Sequence, residues 1–376
     1  MKNDGCNGIP LKLEPYFNKD SQFHYYCESQ GFVKDYRDID NKFICLKGFS
    51  SSTPIVHSAA FNMECRGGGF FFRYNGCGIV VDPGIGFVSL MHQNNIFIDD
   101  IDIVIVTHNH IDHNNDVRSL SALLHEFNRD KTRSLKFYKK IKCEFEEPKE
   151  HKIKWIMDAE TIVSNRDIMG NQTVQDLSRL TQWEAIDNDG NIELMSINTE
   201  HIKSNDDTYK NNTYGIKLKF KDERNSPVWG YTSDTRFFDK LIGLYDDTDV
   251  ILFNISDIYA KDVQKIKQKN NHLGFNGSLK LLSGVKAKLA LATEFCCVNG
   301  DCRHEIVLEL KKELEKVNSN NKMRIVPAES GLRISISGEQ VNCSICKKLN
   351  DINLVKACRP EREYEQIKYI CEDCLL

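Results

Sequence analysis

Four side chains that can bind a metal ion lie within six positions of the chain: His108, His110, Asp112 and His113. They follow residues 101–106, an apolar run broken by one acid, which predicts a strand buried on both faces. Residues two apart in an extended chain point the same way, so His108 and His110 would face one side. Neutral imidazole and carboxylate together suit zinc, iron or manganese. A polar turn without metal is the alternative, but imidazoles seldom crowd together without a cation.

The pattern around this motif predicts a mixed α/β domain. Apolar residues at helical spacing predict a helix from Val117 to near Asn128, and Asn75-Gly76 between two apolar runs predicts a β-hairpin. Further apolar runs predict strands at residues 192–197, 214–220, 228–232, 250–253, 289–292 and 332–336, and helices at about 237–244, from 274 onward and at 304–317.

The motif and two other segments resemble the metallo-β-lactamase superfamily. The pattern HxHxDH at the end of an apolar strand is typical of that superfamily. Residues 78–84, GIVVDPG, resemble the strand and turn that precede it, and residues 230–235, GYTSDT, resemble a later strand that ends in a metal-bridging aspartate. The resemblance spans about residues 45–336. It implies an α/β (α+β) fold, a four-layer αββα sandwich, and a centre with two metals.

The resemblance also assigns ligands to the two metals. The first metal would be bound by His108, His110 and His201, and the second by Asp112 and His113, with Asp234 bridging both. Two such cations can hold a bridging hydroxide and clamp the leaving oxygen of a phosphodiester. Asp112 and Asp234 are therefore expected to be catalytic as well as metal-binding. Zn²⁺ is the expected metal at both positions, with Mn²⁺ as the alternative.

Two positions connect the chain to the tRNase Z-like nuclease and phosphodiesterase branch. In that branch a histidine nearly forty residues after the bridging aspartate assists proton transfer, and His272 follows Asp234 by 38 positions. The branch places a last histidine ligand where this chain has Glu294. A carboxylate can replace it, and being a harder ligand it would favour manganese or magnesium more than histidine does. His304 is the alternative ligand.

Composition describes an ordinary globular protein. Apolar residues make up 40% of the 376 residues and charged residues 28%, and the formal net charge of −4 neither requires nor excludes nucleic acid. The polar start carries no signal-peptide pattern, and no apolar run is long enough for a membrane span. Fourteen cysteines without an export signal favour reduced thiols and metal sites. We expect a cytoplasmic protein that does not contact membranes.

A basic segment lies beyond the predicted helix. Residues 129–142 hold seven basic side chains against one acid, with Phe137 and Tyr138 among them. Basic groups interleaved with aromatic ones suit a nucleic-acid backbone and its bases. The alternative is a solvated surface balanced by the acidic residues 144–147.

Two CxxC pairs stand near the end of the chain. The cysteines are Cys343, Cys346, Cys371 and Cys374, with 24 residues between the pairs. Four thiolates at this spacing predict one structural Zn²⁺ in a zinc ribbon, which could also contact a protein partner. Cys358 lies between the pairs and is not expected to be a ligand.

These patterns predict three parts and one principal function. The parts are an N-terminal extension at 1–40 with no assigned role, a metallo-β-lactamase-fold domain at 41–338 with an insert at about 129–190, and the ribbon at 339–376. The function expected is a dinuclear-metal hydrolase, a phosphodiesterase or nuclease that cleaves RNA or DNA. Hydrolysis of a small ester, lactone or cyclic nucleotide is one alternative. A metal-binding component of a larger assembly, such as a defence complex, is another.

Overall fold

A computed structural model describes most of the chain. The described residues are 41–49, 68–140, 150–201, 213–223, 225–256, 272–295, 302–318, 322–343, 349–352, 355–358 and 368–371, with backbone alone at 131–140, 349 and 356–358. The predicted N-terminal extension, residues 1–40, lies outside the described residues.

Two sheets carry the fold. The nine strands of the first are β1 Lys42–Cys45, β2 Phe70–Tyr74, β3 Cys77–Val81, β4 Ile103–Val106, β5 Lys154–Met157, β6 Thr173–Asp176, β14 Arg333–Ser335, β15 Gln340–Asn342 and β16 Leu349–Asp351. Their spatial order is β16-β15-β14-β1-β2-β3-β4-β5-β6. The seven strands of the second are β7 Glu184–Ala185, β8 Ile192–Asn198, β9 Tyr214–Phe220, β10 Val228–Tyr231, β11 Val250–Ser256, β12 Leu289–Phe295 and β13 Arg324–Pro327. Their order is β13-β12-β11-β10-β9-β8-β7.

The sheets pack face to face through aromatic side chains. The Phe43 ring centroid lies 4.9 Å from that of Trp229, and the Phe72 ring meets Trp229 edge-on at 5.3 Å. Trp229 also donates its indole N–H to the Ile336 carbonyl at 2.6 Å. Burial of these large rings on both sides makes the inter-sheet layer the main core.

Helices cover the outer faces of both sheets. The helices are α1 Phe87–Gln93, α2 Ile111–Asn114, α3 Val117–Lys140, α4 Ala159–Met169, α5 Leu241–Tyr245, α6 Gly274–Gly284 and α7 Arg303–Val317. Residues of α1 and α3 pack on the first sheet, and residues of α5, α6 and α7 pack on the second. The predicted αββα sandwich is therefore confirmed.

Several predicted elements have different bounds. Helix α3 does not end near Asn128 but continues to Lys140, so the first part of the basic segment is helical. The predicted helix at 237–244 is only the five-residue α5. Strand 332–336 does not close the first sheet, because β15 and β16 extend it further. The sequence pattern also gave no sign of β13, which pairs in parallel with β12.

Part of the predicted insert belongs to the first sheet. Strand β5 pairs in parallel with β4, and β6 pairs in parallel with β5. Helix α4 begins at an N-cap, Asp158, whose side chain accepts hydrogen bonds from the backbone of Glu160 and Thr161. Residues 154–176 thus extend the sheet beside the strand that leads into the histidine motif.

The remaining described strands form a small hairpin. Strand β17, Val355–Cys358, pairs antiparallel with β18, Lys368–Cys371. Tyr369 donates its hydroxyl to the Pro327 carbonyl, which connects the hairpin to the end of β13.

Candidate metal centre

The carboxyl ends of parallel strands meet at one edge of the sandwich. Strands β3 and β4 are parallel in the first sheet, and β10, β11 and β12 are parallel in the second. The chain continues from these ends into the predicted site residues. Because strands that run the same way present the same end, side chains far apart in sequence converge there.

The first donor group joins three histidines and one aspartate. His108, His110, His201 and Asp234 offer ligand atoms that all lie within 4.8 Å of one another. His108 Nε2 lies 3.0 Å from His110 Nδ1, and both His108 Nε2 and His201 Nε2 lie 3.8 Å from Asp234 Oδ2. Three imidazoles and one carboxylate in a tetrad suit Zn²⁺.

The second donor group shares Asp234 with the first. Asp112, His113, Asp234 and Glu294 again offer ligand atoms within 4.8 Å of one another. His113 Nε2 lies 3.6 Å from Asp112 Oδ2, 3.6 Å from Asp234 Oδ2 and 3.2 Å from Glu294 Oε1. The structure therefore brings together all seven predicted metal-binding residues in two groups joined at Asp234.

The two groups fit divalent cations chemically. His113 is fully buried, yet its Nε2 has no hydrogen-bond partner among the described residues. A buried ring nitrogen without a partner is costly unless it binds something. Three carboxylates, those of Asp112, Asp234 and Glu294, also converge on this space, and like charges at short range need a cation to balance them.

Burial and neighbouring imidazoles keep two of the histidines neutral. Burial, together with His113 and the other rings, lowers the pKa of His108 well below its ordinary value. Burial and the neighbouring His201 and His113 lower the pKa of His110 from 6.5 to about 4. Neutral imidazole is the form that binds a metal, so these rings are ready to act as ligands near neutral pH.

Asp82 orients His113, a role that the sequence pattern did not predict. Asp82 Oδ2 lies 2.7 Å from His113 Nδ1, and Asp82 also accepts hydrogen bonds from the backbone N–H and hydroxyl of Thr107, both at 2.7 Å. A carboxylate on one ring nitrogen fixes the tautomer and directs the other nitrogen toward the metal space. The signal in the sequence is an aspartate placed directly after an apolar strand.

Asn254 holds Asp234 and was not predicted either. Its Nδ2 donates to Asp234 Oδ1 at 2.8 Å and to the Tyr231 hydroxyl at 3.2 Å. Asp234 Oδ1 is thereby occupied, while Oδ2 is the oxygen that faces both donor groups. An asparagine directly after the apolar residues 250–253 of strand β11 was the available signal.

Lys47 is the third residue that was not predicted, and it lies beside the second donor group. Its side chain is fully buried, its Nζ forms an ion pair with Glu294 Oε1, and it donates to the Asp112 carbonyl at 3.1 Å. Burial opposes the charged form, but the carboxylates of Glu294, Asp112 and Asp82 outweigh it and raise the pKa of Lys47. A lysine within the apolar residues 43–49 was the signal in the sequence.

Backbone strain is concentrated where the strands end at the site. Asp82, Ser233, Ser256 and Glu294 have φ values of 50°, 51°, 35° and 55°. Side chains with a Cβ rarely adopt this left-handed region, and such strain often accompanies functional positions. Glu294 is the next-to-last residue of β12. Its left-handed conformation therefore bends the chain at the end of the strand, at the residue that carries the carboxylate.

His272 lies on the rim of the centre, and His304 does not join it. His272 Nδ1 is 3.7 Å from Asp234 Oδ1, and the His272 side chain is 26% exposed, so solvent reaches it. His304 stands in the first turn of α7. Among the described residues it belongs to neither donor group.

Half of the predicted structural zinc site lies within the described residues. Cys343 and Cys371 are buried, and the Cys371 backbone N–H donates to Cys343 Sγ at 3.5 Å. Cys346 and Cys374 lie outside the described residues. The one described cysteine of the first CxxC pair thus lies beside the one described cysteine of the second. The zinc ribbon stays a prediction.

The basic segment starts in α3, where Arg129 and Asp130 are exposed. Backbone is described as far as Lys140, and residues 141–149 lie outside the described residues. Its role toward nucleic acid stays a prediction. Within the described part of the chain, no helix is both long enough and apolar enough to cross a bilayer.

Comparison with known proteins identifies the fold independently. Solved structures similar to this chain include the metallo-beta-lactamase fold protein YhfI from Bacillus subtilis, with a TM-score of 0.54 and 16% identity over 78% of this chain and 99% of that one. The unliganded PDE1 from yeast has a TM-score of 0.55 and 11% identity over 78% of this chain and 99% of that one. A long form RNase Z from yeast has a TM-score of 0.52 and 12% identity, over 86% of this chain and 46% of that one.

At these identities the similarity demonstrates a shared fold. A search of curated proteins found no match. The family model described as the Beta-lactamase superfamily domain matches residues 78–295, more than half of the chain and the stretch that contains both donor groups. The chain belongs to the beta-lactamase superfamily.

Proposed function

We propose that this protein is a dinuclear-metal phosphodiesterase whose substrate is RNA or DNA. The observation that carries the proposal is the pair of donor groups sharing Asp234 Oδ2. Two divalent cations held there would supply a Lewis-acid clamp for a phosphodiester and an activated water.

Each residue of the two donor groups has a part in this scheme. His108, His110 and His201 would hold the first cation and Asp112, His113 and Glu294 the second, and Asp234 would be a ligand shared by both. Asp82 and Asn254 would not be ligands. They fix the His113 ring and the Asp234 carboxylate, so the ligands need little rearrangement when a cation binds.

His272 is the proposed proton donor to the leaving oxygen. Its position near Asp234, and its 26% exposure at the rim, allow it to reach both the centre and a bound substrate. His272 packs against His201, a member of the first donor group, with ring centroids 4.9 Å apart. A proton donor is needed because an alkoxide leaving group is poor unless it is protonated as the P–O bond breaks.

Two observations favour nucleic acid as the substrate. The fold is shared with the yeast RNase Z, whose name makes it a ribonuclease. The basic segment at 129–142 adds seven cationic side chains that can neutralise backbone phosphates.

A small phosphodiester is the second candidate substrate, because the fold is equally similar to that of PDE1, a phosphodiesterase. A small ester or lactone would use the same two donor groups. The two classes differ in their need for an extended cationic surface, which only a nucleic acid would use.

The test compares substrates on one metal-loaded preparation. RNA, single-stranded DNA, bis(p-nitrophenyl) phosphate and a lactone are assayed with the wild type and with a His108→Ala/His110→Ala variant. Cleavage of RNA or DNA that the double variant lacks supports the proposal. Turnover of the lactone alone, or phosphodiester cleavage that survives in the double variant, would refute it.

A further inference from the structure

The second donor group contains a feature that its ligand set does not require, the ammonium of Lys47. The ion pair of Lys47 Nζ with Glu294 involves Oε1, the oxygen that also lies 3.2 Å from His113 Nε2. The other oxygen, Oε2, lies 3.4 Å from the Ser256 hydroxyl. A cation held between His113 and Glu294 would therefore have to share Oε1 with the ammonium.

The position of Lys47 is fixed by its surroundings. Its carbonyl accepts hydrogen bonds from the Thr293 hydroxyl at 3.1 Å and from Cys45 Sγ at 2.9 Å. The next residue, Gly48, accepts from the Phe295 N–H at 3.3 Å. These contacts attach the backbone at Lys47 to both sides of Glu294 in β12, so the buried side chain starts from a point held beside the carboxylate.

Among the described residues, the contacts printed for the first donor group include no ammonium like that of Lys47. Its ligands are three imidazoles and Asp234, and the contacts of Lys47 Nζ are with Glu294 and Asp112, both in or beside the second group. Repulsion between an ammonium and a divalent cation therefore acts mainly on the second position, and it is little screened in a buried site.

We propose that Lys47 makes the two cation positions unequal, by competing with the second cation for Glu294. The first donor group then fills at low metal concentration. The second fills only when a cation displaces or polarises the ion pair. The protein therefore binds one metal at low metal concentration and two at higher concentration. The inference rests on the two-cation centre of the proposed function.

The consequence is a metal affinity that depends on a residue which is not a ligand. Removing the ammonium frees Oε1 and removes the repulsion, so the second cation should bind more tightly. A coupling of roughly 10- to 100-fold in affinity is expected from the usual range for linked sites. A lysine that merely oriented Glu294 would have the opposite effect, because its loss would weaken the second site.

The experiment is a Mn²⁺ titration of the full-length, chelator-treated protein, read by electron paramagnetic resonance of free Mn²⁺. Mn²⁺ is suitable because thiolates bind it weakly, so the cysteines of the two CxxC pairs should not add to the number of Mn²⁺ ions bound. The variants are Lys47→Met, Glu294→Gln and the double variant. Lys217→Met is the matched control, since Lys217 is also a buried lysine in an ion pair, with Asp247, away from both donor groups.

The wild type and Lys217→Met should bind one Mn²⁺ tightly and a second more weakly. Lys47→Met should tighten the second by about tenfold or more, and Glu294→Gln should weaken it in either background. In the double variant the gain from Lys47→Met should largely vanish, because the two residues act on one oxygen. Lys47→Gln serves as a second neutral variant if Lys47→Met does not fold.

The outcomes separate this inference from the proposed function. An unchanged or weaker second site in both neutral Lys47 variants would overturn the inference and leave the two-cation centre intact. Failure of the wild type to bind Mn²⁺ or Zn²⁺ at either donor group would overturn both. Two equally tight sites in the wild type would overturn the inference alone.

Discussion

At the scale of single residues, the candidate metal centre is a set of predicted ligands whose side chains are held in place by other side chains. Asp82 and Asn254 each contact one member of the centre through a short hydrogen bond, and Thr107 contacts the first of them. Such partners fix the orientation of a ligand before metal binds, and their loss commonly reduces metal affinity or activity. The proposed ligands, the proposed proton donor His272 and the orienting residues Asp82 and Asn254 are different side chains, so each role can be tested by a separate substitution.

Replacing His108 and His110 together by alanine should abolish hydrolysis and remove one cation per chain. Both rings belong to the first donor group, which would retain only His201 and Asp234. The fold should persist, because the apolar core of the two sheets stabilises the strands around the motif. Elemental analysis, circular dichroism and the phosphodiester assay measure these three properties, and the exposed His92→Ala is the control. Normal hydrolysis by the double variant would exclude the proposed centre.

Glu294→Ala and His272→Ala should differ in metal content. Glu294 is a member of the second donor group, whereas His272 lies at the rim. Glu294→Ala should therefore lose one cation and regain part of its activity in excess metal. His272→Ala should keep both and lose about 10²- to 10⁴-fold in rate, with the smallest loss on p-nitrophenyl leaving groups, which need no proton. The opposite metal contents would mean that the two roles are exchanged.

In the metal-free protein, acid should weaken the fold through His110. The pKa of His110 is lowered from 6.5 to about 4, by burial and by His201 and His113. Between these values the unfolded chain binds the proton and the folded chain does not. The contribution is therefore complete above pH 6.5 and is lost as the pH falls toward 4. Urea unfolding in chelator should show the wild type losing about 1–2 kcal/mol relative to His110→Asn over this interval, allowing for partial exposure of the ring. A difference that does not change with pH would contradict this.

At the scale of elements, strand ends position the chemistry and one long helix carries the basic segment away from it. Strand β4 delivers the histidine motif, β10 delivers Asp234, and β12 delivers Glu294. Helix α3 begins with Val117, directly after this motif, and its 24 residues rise about 36 Å at 1.5 Å each. A substrate that contacts both the centre and the far end of α3 must therefore be long.

Neutralising the lysines in the last part of the basic segment, residues 129–142, should affect the binding and cleavage of polymer substrates alone. The change is to glutamine at Lys136, Lys139, Lys140 and Lys142. Each lysine–phosphate ion pair that is removed should reduce the slope of log affinity against log salt by about 0.7 to 0.9. Binding isotherms on single-stranded RNA and DNA at several salt concentrations measure the slope. Cleavage of bis(p-nitrophenyl) phosphate is the control and should hardly change. Equal losses on both substrates would show that the segment supports the fold instead.

At the scale of the whole molecule, the hairpin of β17 and β18, which lies between the two CxxC pairs and includes Cys371, packs on the sandwich. Val355, Tyr369 and Cys371 are buried and belong to the cluster between the sheets, and Arg324 of β13 donates to the Val355 carbonyl. Removal of residues 341–376 would therefore expose part of the core. Point substitutions of the cysteines are the sharper test of the predicted zinc.

Cys346→Ser and Cys374→Ser should each remove one zinc per chain and leave the cations of the centre in place. A serine hydroxyl does not replace a thiolate ligand. Because the hairpin of β17 and β18 packs on the core, the unfolding temperature should fall by about 3 °C or more, corresponding to ~1 kcal/mol or more. Elemental analysis and thermal unfolding measure the two effects, and Cys77→Ser, outside both pairs, is the control. Unchanged zinc content in both variants would eliminate the ribbon.

The sequence by itself determined the type of fold and most of the ligands. Apolar runs predicted strands such as β9 at their observed bounds, because period and burial are local properties of the chain. The HxHxDH motif is local too, since its four side chains follow a single strand. Resemblance to a family then supplied His201, Asp234 and Glu294, which no spacing connects to the motif.

Only the tertiary structure decided which side chains meet. Lys47 and Glu294 are 247 positions apart, and Asn254 reaches Asp234 from a neighbouring strand. No periodicity records such contacts, because they depend on the pairing of β10, β11 and β12 and on the approach of residues 47–49 to the end of β12. Helix α3 passed its predicted end for a related reason. Charged and polar residues follow Asn128, but a sequence without glycine or proline can continue a helix once packing of its first turns has nucleated it.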